Sequence, residues 1–173
     1  KEAIDGRARE PAGIGFTGCS VLDATPAQPG GQRRQVLVNG RRVKTIDVHA
    51  HCVVPEAMAV LGYKGTQRPE LVIARDRLLR MDQEGIDVEA LSINPFWYKA
   101  ERELASQVVK IQNEKLAELC AAYPERFVAF ASVALQYPDL AVQQLDYAVR
   151  KLGLRGAAVG ASVDRDEFSD PKF

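Results

Sequence analysis

Apolar positions between residues 36 and 160 follow two alternating spacings. Four short segments have the length and composition of β-strands: residues 43–49, 86–93, 127–133 and 156–159, of which 127–133 is almost continuously apolar. Between them, apolar residues recur every three or four positions, which predicts three helices that begin at Pro69, near Ala100 and at Pro138. The expected helix ends are Gly85, Tyr123 and Gly153. The order β-α-β-α-β-α-β with short connections is typical of a parallel sheet with right-handed crossovers.

A β-hairpin is predicted immediately before the first of these strands. Residues 36–38 and 41–43 flank Asn39-Gly40, a pair that supplies the two positive-φ residues of a type I′ turn. Residues 1–35 are rich in Gly, Pro, Gln and Arg and show almost no periodicity. We expect them to form an extended or poorly ordered arm, able to wrap the domain or a partner subunit, ahead of a domain at 36–173.

The composition fits a cytoplasmic globular protein. The 173 residues are 46% hydrophobic and 27% charged, and 23 basic residues balance 23 acidic ones. Without a net field, neither nucleic acid nor a membrane is expected as a partner, and the longest uncharged apolar run is too short to span a bilayer. No signal peptide is visible and no initiator methionine is present, so we expect a trimmed N-terminus. Three scattered cysteines fit a reducing compartment.

The two histidines of the sequence lie two residues apart at the end of the first predicted strand. Because side chains alternate along a strand, Asp47, His49 and His51 are expected on one face, with Ile46 and Val48 in apolar packing on the other. Two imidazoles on one face can bind a single metal ion, and a carboxylate beneath can orient them. The alternative is a pair of histidines that cap the strand and are satisfied by backbone groups.

The cysteine beside these histidines has two interpretations. Cys52 follows His51 directly and could be a ligand or a nucleophile. Strand alternation turns it away from the histidine face, and free cysteine is usually a small core residue. Packing is therefore the favoured role of Cys52.

Four stretches of the sequence resemble one known family. Residues 47–51 resemble the D-x-H-x-H signature of the first strand in the amidohydrolase superfamily of metal-dependent (β/α)₈ barrels. Residues 81–92, 123–127 and 152–156 are similar to the aminocarboxymuconate-semialdehyde decarboxylase branch of that superfamily, in its order and spacing. The resemblance implies an α/β fold, a (β/α)₈ TIM-type barrel, of which this chain supplies about the first four β/α units. It also implies one divalent metal, zinc with manganese as the alternative, and a homodimer.

A complete barrel needs about 250 residues, more than this sequence has. Family members take further metal ligands and an Asp from the second half of the barrel, and those residues would lie outside this sequence. We therefore expect the chain to be a portion of a longer polypeptide or to pair with a second chain.

The resemblance also indicates substrate-binding candidates. The loop after the second strand would open onto the active face of a barrel, where Asn94, Phe96 and Trp97 could bind a substrate; packing over the barrel rim is the alternative. Lys64 and Arg68 could pair with a substrate carboxylate, although solvated surface charge is commoner.

Three functions fit these features. The branch resemblance favours non-oxidative decarboxylation of an aromatic or muconate-type small-molecule carboxylate, which would make the protein a lyase. The alternative is hydrolysis of an ester, lactone or amide by a metal-activated water. A third hypothesis is a non-catalytic half-barrel that acts in assembly. Fold and motif are shared by the two chemistries. Where relatives often place a His after the fourth strand, this sequence has Ser162, so no catalytic role is assigned there.

Overall fold

The computed structural model describes residues 33–64, 69–73 and 75–173. The predicted arm at residues 1–35 lies almost entirely outside the described residues, as does Arg68. The strands are β1 (Leu37–Val38), β2 (Arg41–Arg42), β3 (Ile46–His51), β4 (Val88–Ser92) and β5 (Phe127–Ala129). The α-helices are α1 (Pro55–Val60), α2 (Arg75–Glu84), α3 (Arg102–Ala122) and α4 (Pro138–Arg150), and a 3₁₀ turn covers Pro69–Leu71.

A parallel sheet with the strand order β3-β4-β5 forms the centre of the described structure. His51 is in register with Ser92, so the carboxyl ends of β3 and β4 lie side by side. The fourth predicted strand, at 156–159, is present only as a parallel bridge between Ala131 and Ala157. The described residues confirm the parallel α/β arrangement, in the form of an open sheet rather than a closed barrel.

The helices match the sequence pattern with two differences. Helix α2 begins at Arg75 rather than Pro69, because residues 69–71 form a separate 3₁₀ turn whose last carbonyl, that of Leu71, accepts the N–H of Val53 at 3.1 Å. Helix α1 was not predicted, since its six residues are too few to show a helical period. Pro55 occupies its first turn, where a missing N–H has no consequence.

The hydrophobic core lies between the sheet and helix α3. It contains large buried side chains from both layers, among them Leu91, Val108, Leu116 and Phe127. A buried amide fastens the helix to the chain beyond β5: Asn113 accepts the N–H of Ser132 at 2.8 Å and donates to its carbonyl at 2.9 Å. Within the described part of the chain, none of the helices combines the length and apolarity that a membrane span needs.

The predicted packing of Ile46 and Val48 is wrong for the described structure. Their exposed fractions are 55% and 74%, whereas Ala50 on the same strand is buried. Strand β3 is at the edge of the sheet, and the core reaches only its carboxyl end.

The predicted hairpin is confirmed. Leu37 pairs with Arg42 and Val38 with Arg41, and Asn39 and Gly40 have φ values of 51° and 73°. The hairpin is joined to the sheet through an Arg42–Asp87 ion pair of 2.6 Å.

Candidate metal centre

The two histidines converge at the carboxyl end of β3. Their Nε2 atoms lie 2.9 Å apart, and their rings are nearly perpendicular, with centroids 4.7 Å apart. His49 is exposed and His51 is half-buried. A single strand thus brings both imidazole nitrogens to one point, as the D-x-H-x-H spacing predicts.

Asp47 and Ser92 orient the two histidines. The Asp47 carboxylate accepts the main-chain N–H of His49 at 2.9 Å, rather than a ring N–H. The ring of His51 is instead held by Ser92, whose Oγ lies 3.0 Å from Nδ1. Ser92 was not among the predicted site residues, although its position as a polar residue near the end of the second predicted strand could have indicated a role beside the histidines.

The surroundings of His51 favour its neutral form. Burial lowers the pKa of His51 below its ordinary value and the neighbouring His49 lowers it further, while the Ser92 hydrogen bond opposes the shift. When Ser92 accepts the Nδ1–H of the neutral ring, Nε2 carries a free lone pair toward His49. A lone pair on a neutral imidazole is what a metal ligand must provide.

The donor set fits a divalent cation in part. Two nitrogens 2.9 Å apart can share one ion at the usual Zn–N distance of about 2.0–2.1 Å, although the same separation also fits a hydrogen bond between the rings. A catalytic zinc site normally has about three protein ligands. Among the described residues, no group of three or more His, Cys, Asp or Glu side chains is placed to hold a metal ion. A complete site therefore needs at least one further ligand.

A buried ion pair lies beneath the histidines. Arg77 on α2 donates from Nε to Glu89 Oε2 on β4 at 2.7 Å, and both side chains are only 6% exposed. Arg77 also donates from Nη1 to the main-chain carbonyl of His51 at 2.8 Å. Burial raises the pKa of Glu89, although Arg77 opposes the shift. The sequence motifs did not predict this pair; the available signal was a carboxylate between apolar residues, Val88 and Ala90, of the second predicted strand.

Cys52 belongs to the core. Its side chain is buried, and burial raises the pKa of the thiol to about 12, against the effect of nearby Arg77. The sulfur is therefore protonated at neutral pH and is a poor nucleophile. This agrees with the predicted packing role.

The structure separates the loop candidates into exposed and buried side chains. Asn94 is exposed and Phe96 is half-buried, whereas Trp97 is fully buried and donates its indole N–H to the Val133 carbonyl at 2.9 Å. For Trp97, this favours the packing alternative, because the side chain has no surface left for a ligand. Lys64 is exposed.

A cleft of about 320 Å³ opens beside the same loop. Its lining residues come from the loop after β4 and from the polar segment after the fourth predicted strand: Pro95, Phe96, Tyr98, Lys99, Ser162 and Asp164. Lys99 and Asp164 face each other at 3.5 Å, and the Tyr98 hydroxyl accepts the Gly160 N–H at 3.3 Å. Aromatic walls with a few polar groups are typical of small-molecule sites.

Comparison with known proteins identifies related enzymes. The amidohydrolase family profile matches residues 46–173. Gamma-resorcylate decarboxylase of Rhizobium radiobacter is 34% identical over 137 residues, which are 74% of this chain and 42% of that protein. The 2-amino-3-carboxymuconate-6-semialdehyde decarboxylase of Dictyostelium discoideum is 27% identical over 99 residues, 56% of this chain and 28% of that protein.

A solved structure extends the comparison to three dimensions. The dihydroxybenzoic acid decarboxylase of Polaromonas sp. JS666, crystallised with manganese and the inhibitor 2-nitroresorcinol, superposes with a TM-score of 0.56 at 32% identity. The superposition covers 68% of this chain and 38% of that one.

The parallel α/β topology and the paired histidines at a strand end define a class of protein: an α/β protein with a candidate metal site at the carboxyl end of its sheet. The match over residues 46–173 shows that the chain belongs to the amidohydrolase family. The resemblance to the decarboxylase branch is thereby confirmed. The chain spans less than half the length of these relatives.

Proposed function

We propose that the protein is a metal-dependent decarboxylase that releases CO₂ from an aromatic or muconate-type carboxylate without oxidation. The observation that carries this proposal is the convergence of the His49 and His51 Nε2 atoms at 2.9 Å, in a chain whose relatives are named as decarboxylases. His49 and His51 would hold one divalent ion, with further ligands from outside the described residues.

The side chains around the histidines have distinct roles in this proposal. Asp47 fixes the main chain of His49, and Ser92 fixes the ring of His51, so that both Nε2 atoms face one point. A bound divalent ion supplies positive charge that binds substrate oxygens and stabilises the negative charge that develops when the carbon–carbon bond breaks. Phe96, half-buried on the wall of the cleft beside the loop after β4, would contact a flat ring.

The remaining substrate candidates follow from their positions. Asn94 is exposed in the loop that leads into the cleft, and Lys64 is exposed in the loop after α1. Together with Arg68, they are the groups we propose to contact the polar substituents and carboxylate of the substrate. Trp97 would act indirectly, because its hydrogen bond to Val133 holds this loop on the core.

The metal is proposed as zinc or manganese. Imidazole ligands suit zinc, whereas the Polaromonas relative was crystallised with manganese. Metal analysis of the purified protein by mass spectrometry distinguishes the two.

We also propose that the complete protein is a (β/α)₈ barrel to which residues 36–173 contribute about four β/α units. Two observations support this. The sheet is open at β3, where Ile46 and Val48 are exposed, and the relatives are more than twice as long as the matched segment. Homodimer formation and a cytoplasmic location stay predictions.

Replacing both ligands tests the proposal. In the complete protein, His49→Ala with His51→Ala should abolish binding of a stoichiometric divalent ion. It should also slow CO₂ release from gamma-resorcylate or 2-amino-3-carboxymuconate-6-semialdehyde by about a thousandfold or more, because metal stabilisation contributes several kcal/mol. Lys110→Ala, at an exposed position of α3, is the control and should keep both properties.

Three outcomes contradict the proposal. Full metal content and turnover in the double histidine variant would show that these side chains are not ligands. Hydrolysis of an ester, lactone or amide without any CO₂ release from carboxylates would assign the hydrolase function instead. Absence of metal and turnover in the wild type would favour a role in assembly.

A further inference from the structure

Arg77 on α2 and Glu89 on β4 form a buried ion pair between a helix and the sheet. Both side chains are 6% exposed, in a region where the neighbouring β4 positions Val88, Ala90 and Leu91 are buried and apolar. Arg77 lies on α2 and Glu89 on β4, outside the two loops, after α1 and after β4, that carry the substrate candidates. It nevertheless occupies space that apolar side chains could fill.

Burial of two charges is a poor way to stabilise a sheet. Removing an arginine and a carboxylate from water costs several kcal/mol each, and the attraction between them recovers that cost only with very good geometry. In other proteins, replacing such a pair by apolar side chains of similar volume is often neutral or stabilising. Packing alone therefore does not explain Arg77 and Glu89.

The hydrogen bonds of Arg77 indicate what apolar side chains could not do. Its Nη1 donates to the carbonyl of His51, the last residue of β3, at 2.8 Å. Glu89 Oε2 accepts from Nε at 2.7 Å, which fixes the rotation of the guanidinium group. A planar group bonded at two points has one orientation, so the His51 carbonyl has a fixed donor.

The position of His51 depends on three contacts from two other elements. Arg77 from α2 holds its carbonyl, Ser92 from β4 holds its ring nitrogen Nδ1, and the next residue, Cys52, donates its N–H to the Ser92 carbonyl at 2.9 Å. These contacts fix the peptide plane and the ring of His51 together. The direction of its Nε2 toward His49 follows from both.

We propose that Arg77 is a positioning residue for the candidate metal centre, with Glu89 as the group that orients Arg77. Through the His51 carbonyl, Arg77 sets the backbone from which the ligand projects, in the way that outer hydrogen bonds tune ligands in metal sites. The inference rests on the proposed function of His49 and His51 as ligands.

A test must separate positioning from folding. Removing Arg77 alone leaves a buried, unpaired carboxylate and destabilises the whole fold, so a loss of metal binding would be uninformative. The double variant Arg77→Met with Glu89→Leu removes both charges and restores apolar packing. It removes the donor to the His51 carbonyl without leaving an unpaired charge in the interior.

The readout is Zn²⁺ affinity of the metal-free complete protein, measured by competition with a chromogenic chelator. Urea unfolding of each variant is measured in parallel. We expect the double variant to unfold at a urea midpoint close to that of the wild type but to bind Zn²⁺ about 10- to 100-fold more weakly, the usual effect of losing a group that orients a ligand. The matched control is Arg102→Met with Asp139→Leu, which removes a more exposed ion pair between α3 and α4 and should leave Zn²⁺ affinity unchanged.

The outcomes separate the two proposals. A folded double variant with wild-type Zn²⁺ affinity overturns the positioning role and leaves the proposed function intact. A wild type that binds Zn²⁺ no better than His49→Ala with His51→Ala overturns the proposed function itself.

If the double variant does not fold, Arg77→Gln with Glu89→Gln serves as the second variant, because it keeps a neutral polar pair. The glutamine side chain is shorter than that of arginine and cannot reach both partners, so the same loss of affinity is expected. Wild-type affinity in this folded variant likewise overturns the inference.

Discussion

The Asp87 carboxylate joins three separate parts of the described structure. It accepts the Thr45 N–H at 2.8 Å and forms ion pairs with Arg42 at 2.6 Å and Arg33 at 2.7 Å. Its side chain is only 8% exposed. Burial by itself would raise the pKa of Asp87, but the Thr45 N–H and the two arginines outweigh it and hold this pKa below its ordinary value. Asp87 therefore stabilises the fold in its ionised form.

Asp87→Asn is expected to destabilise the protein at neutral pH by about 1–3 kcal/mol, since it removes a nearly buried charge that the Thr45 N–H, Arg33 and Arg42 share. Because the folded-state pKa is lowered, the contribution of Asp87 is fully present above its unfolded pKa of about 3.9 and is lost as the pH falls through the lower folded value. Urea unfolding of both proteins between pH 7 and pH 3 checks this, and the difference should shrink below about pH 4.

The control for this prediction is Asp139→Asn. Asp139 pairs with Arg102 but is 65% exposed, so solvent screens the pair and little change is expected at any of these pH values. An Asp87→Asn variant with a pH-independent loss of stability would contradict the ionised role of Asp87.

At the scale of elements, the end of α2 determines how the hairpin meets the sheet. Gly85 follows the last residue of α2 with φ +78°, a left-handed conformation that glycine adopts at no cost. A Cβ at this position would lie 3.3 Å from the Arg34 carbonyl oxygen and 3.3 Å from Val36 Cγ2. The Gly85 carbonyl also accepts a hydrogen bond from the Thr45 hydroxyl. The turn therefore serves both as a helix end and as a contact surface for residues 34–36.

Gly85→Ala is expected to lower the free energy of unfolding by more than the same change at Gly62. Gly62 has a similar φ of +84°, but no heavy atom of the described residues lies within 4 Å of the point that a Cβ would occupy there. Left-handed strain alone costs about 1–2 kcal/mol, and this is the expected loss for Gly62→Ala. Gly85→Ala should cost more, because its Cβ would also crowd the Arg34 carbonyl oxygen and Val36 Cγ2. If urea unfolding gives equal losses of unfolding free energy for the two variants, residues 34–36 move away from the new methyl group without measurable cost.

At the scale of the whole molecule, the amino end of β3 is the surface that a closed barrel would change most. Val48 is 74% exposed and lies on the edge strand of the sheet. Barrel closure would place another strand and its helix beside β3, and Val48 would then become buried. The described residues leave this apolar side chain in water.

Val48→Thr in the complete protein distinguishes a Val48 that is buried by barrel closure from one that stays exposed. If closure buries Val48, a hydroxyl in place of a methyl group should destabilise the protein by about 1–3 kcal/mol. If Val48 stays exposed, the change should fall within about 0.5 kcal/mol, as for most surface substitutions. Val142→Thr, at a 69% exposed position of α4, is the matched control and should have the smaller effect.

Much of the fold was predictable because the signals are local. The Asn39-Gly40 turn, the end of α2 at Gly85 and the long apolar period of α3 each depend on residues close in sequence, and the structure has all three. The start of α2 was predicted less well. The helix is preceded by a separate 3₁₀ turn whose Leu71 carbonyl accepts the Val53 N–H, a contact that periodicity within the helix cannot reveal.

The sequence predicted the two histidines of the candidate site but not the side chains that support them. The spacing of His49 and His51 implies their convergence, because both side chains project from one strand. Their supporting groups come from elsewhere: Arg77 is 26 residues from His51 and Ser92 is 41 residues from it. No local pattern connects positions so far apart.

By itself, therefore, the sequence determined the alternation of strands and helices, the hairpin, the family and the paired histidines. These follow from local periodicity, turn chemistry and a short motif. Only the tertiary structure decided that Asp47 holds a main-chain N–H, that Ser92 and Arg77 orient His51, and that Trp97 is buried while Val48 is exposed. The reason is physical: burial and hydrogen-bond partners are properties of packed neighbours, and packing brings together residues that lie far apart along the chain.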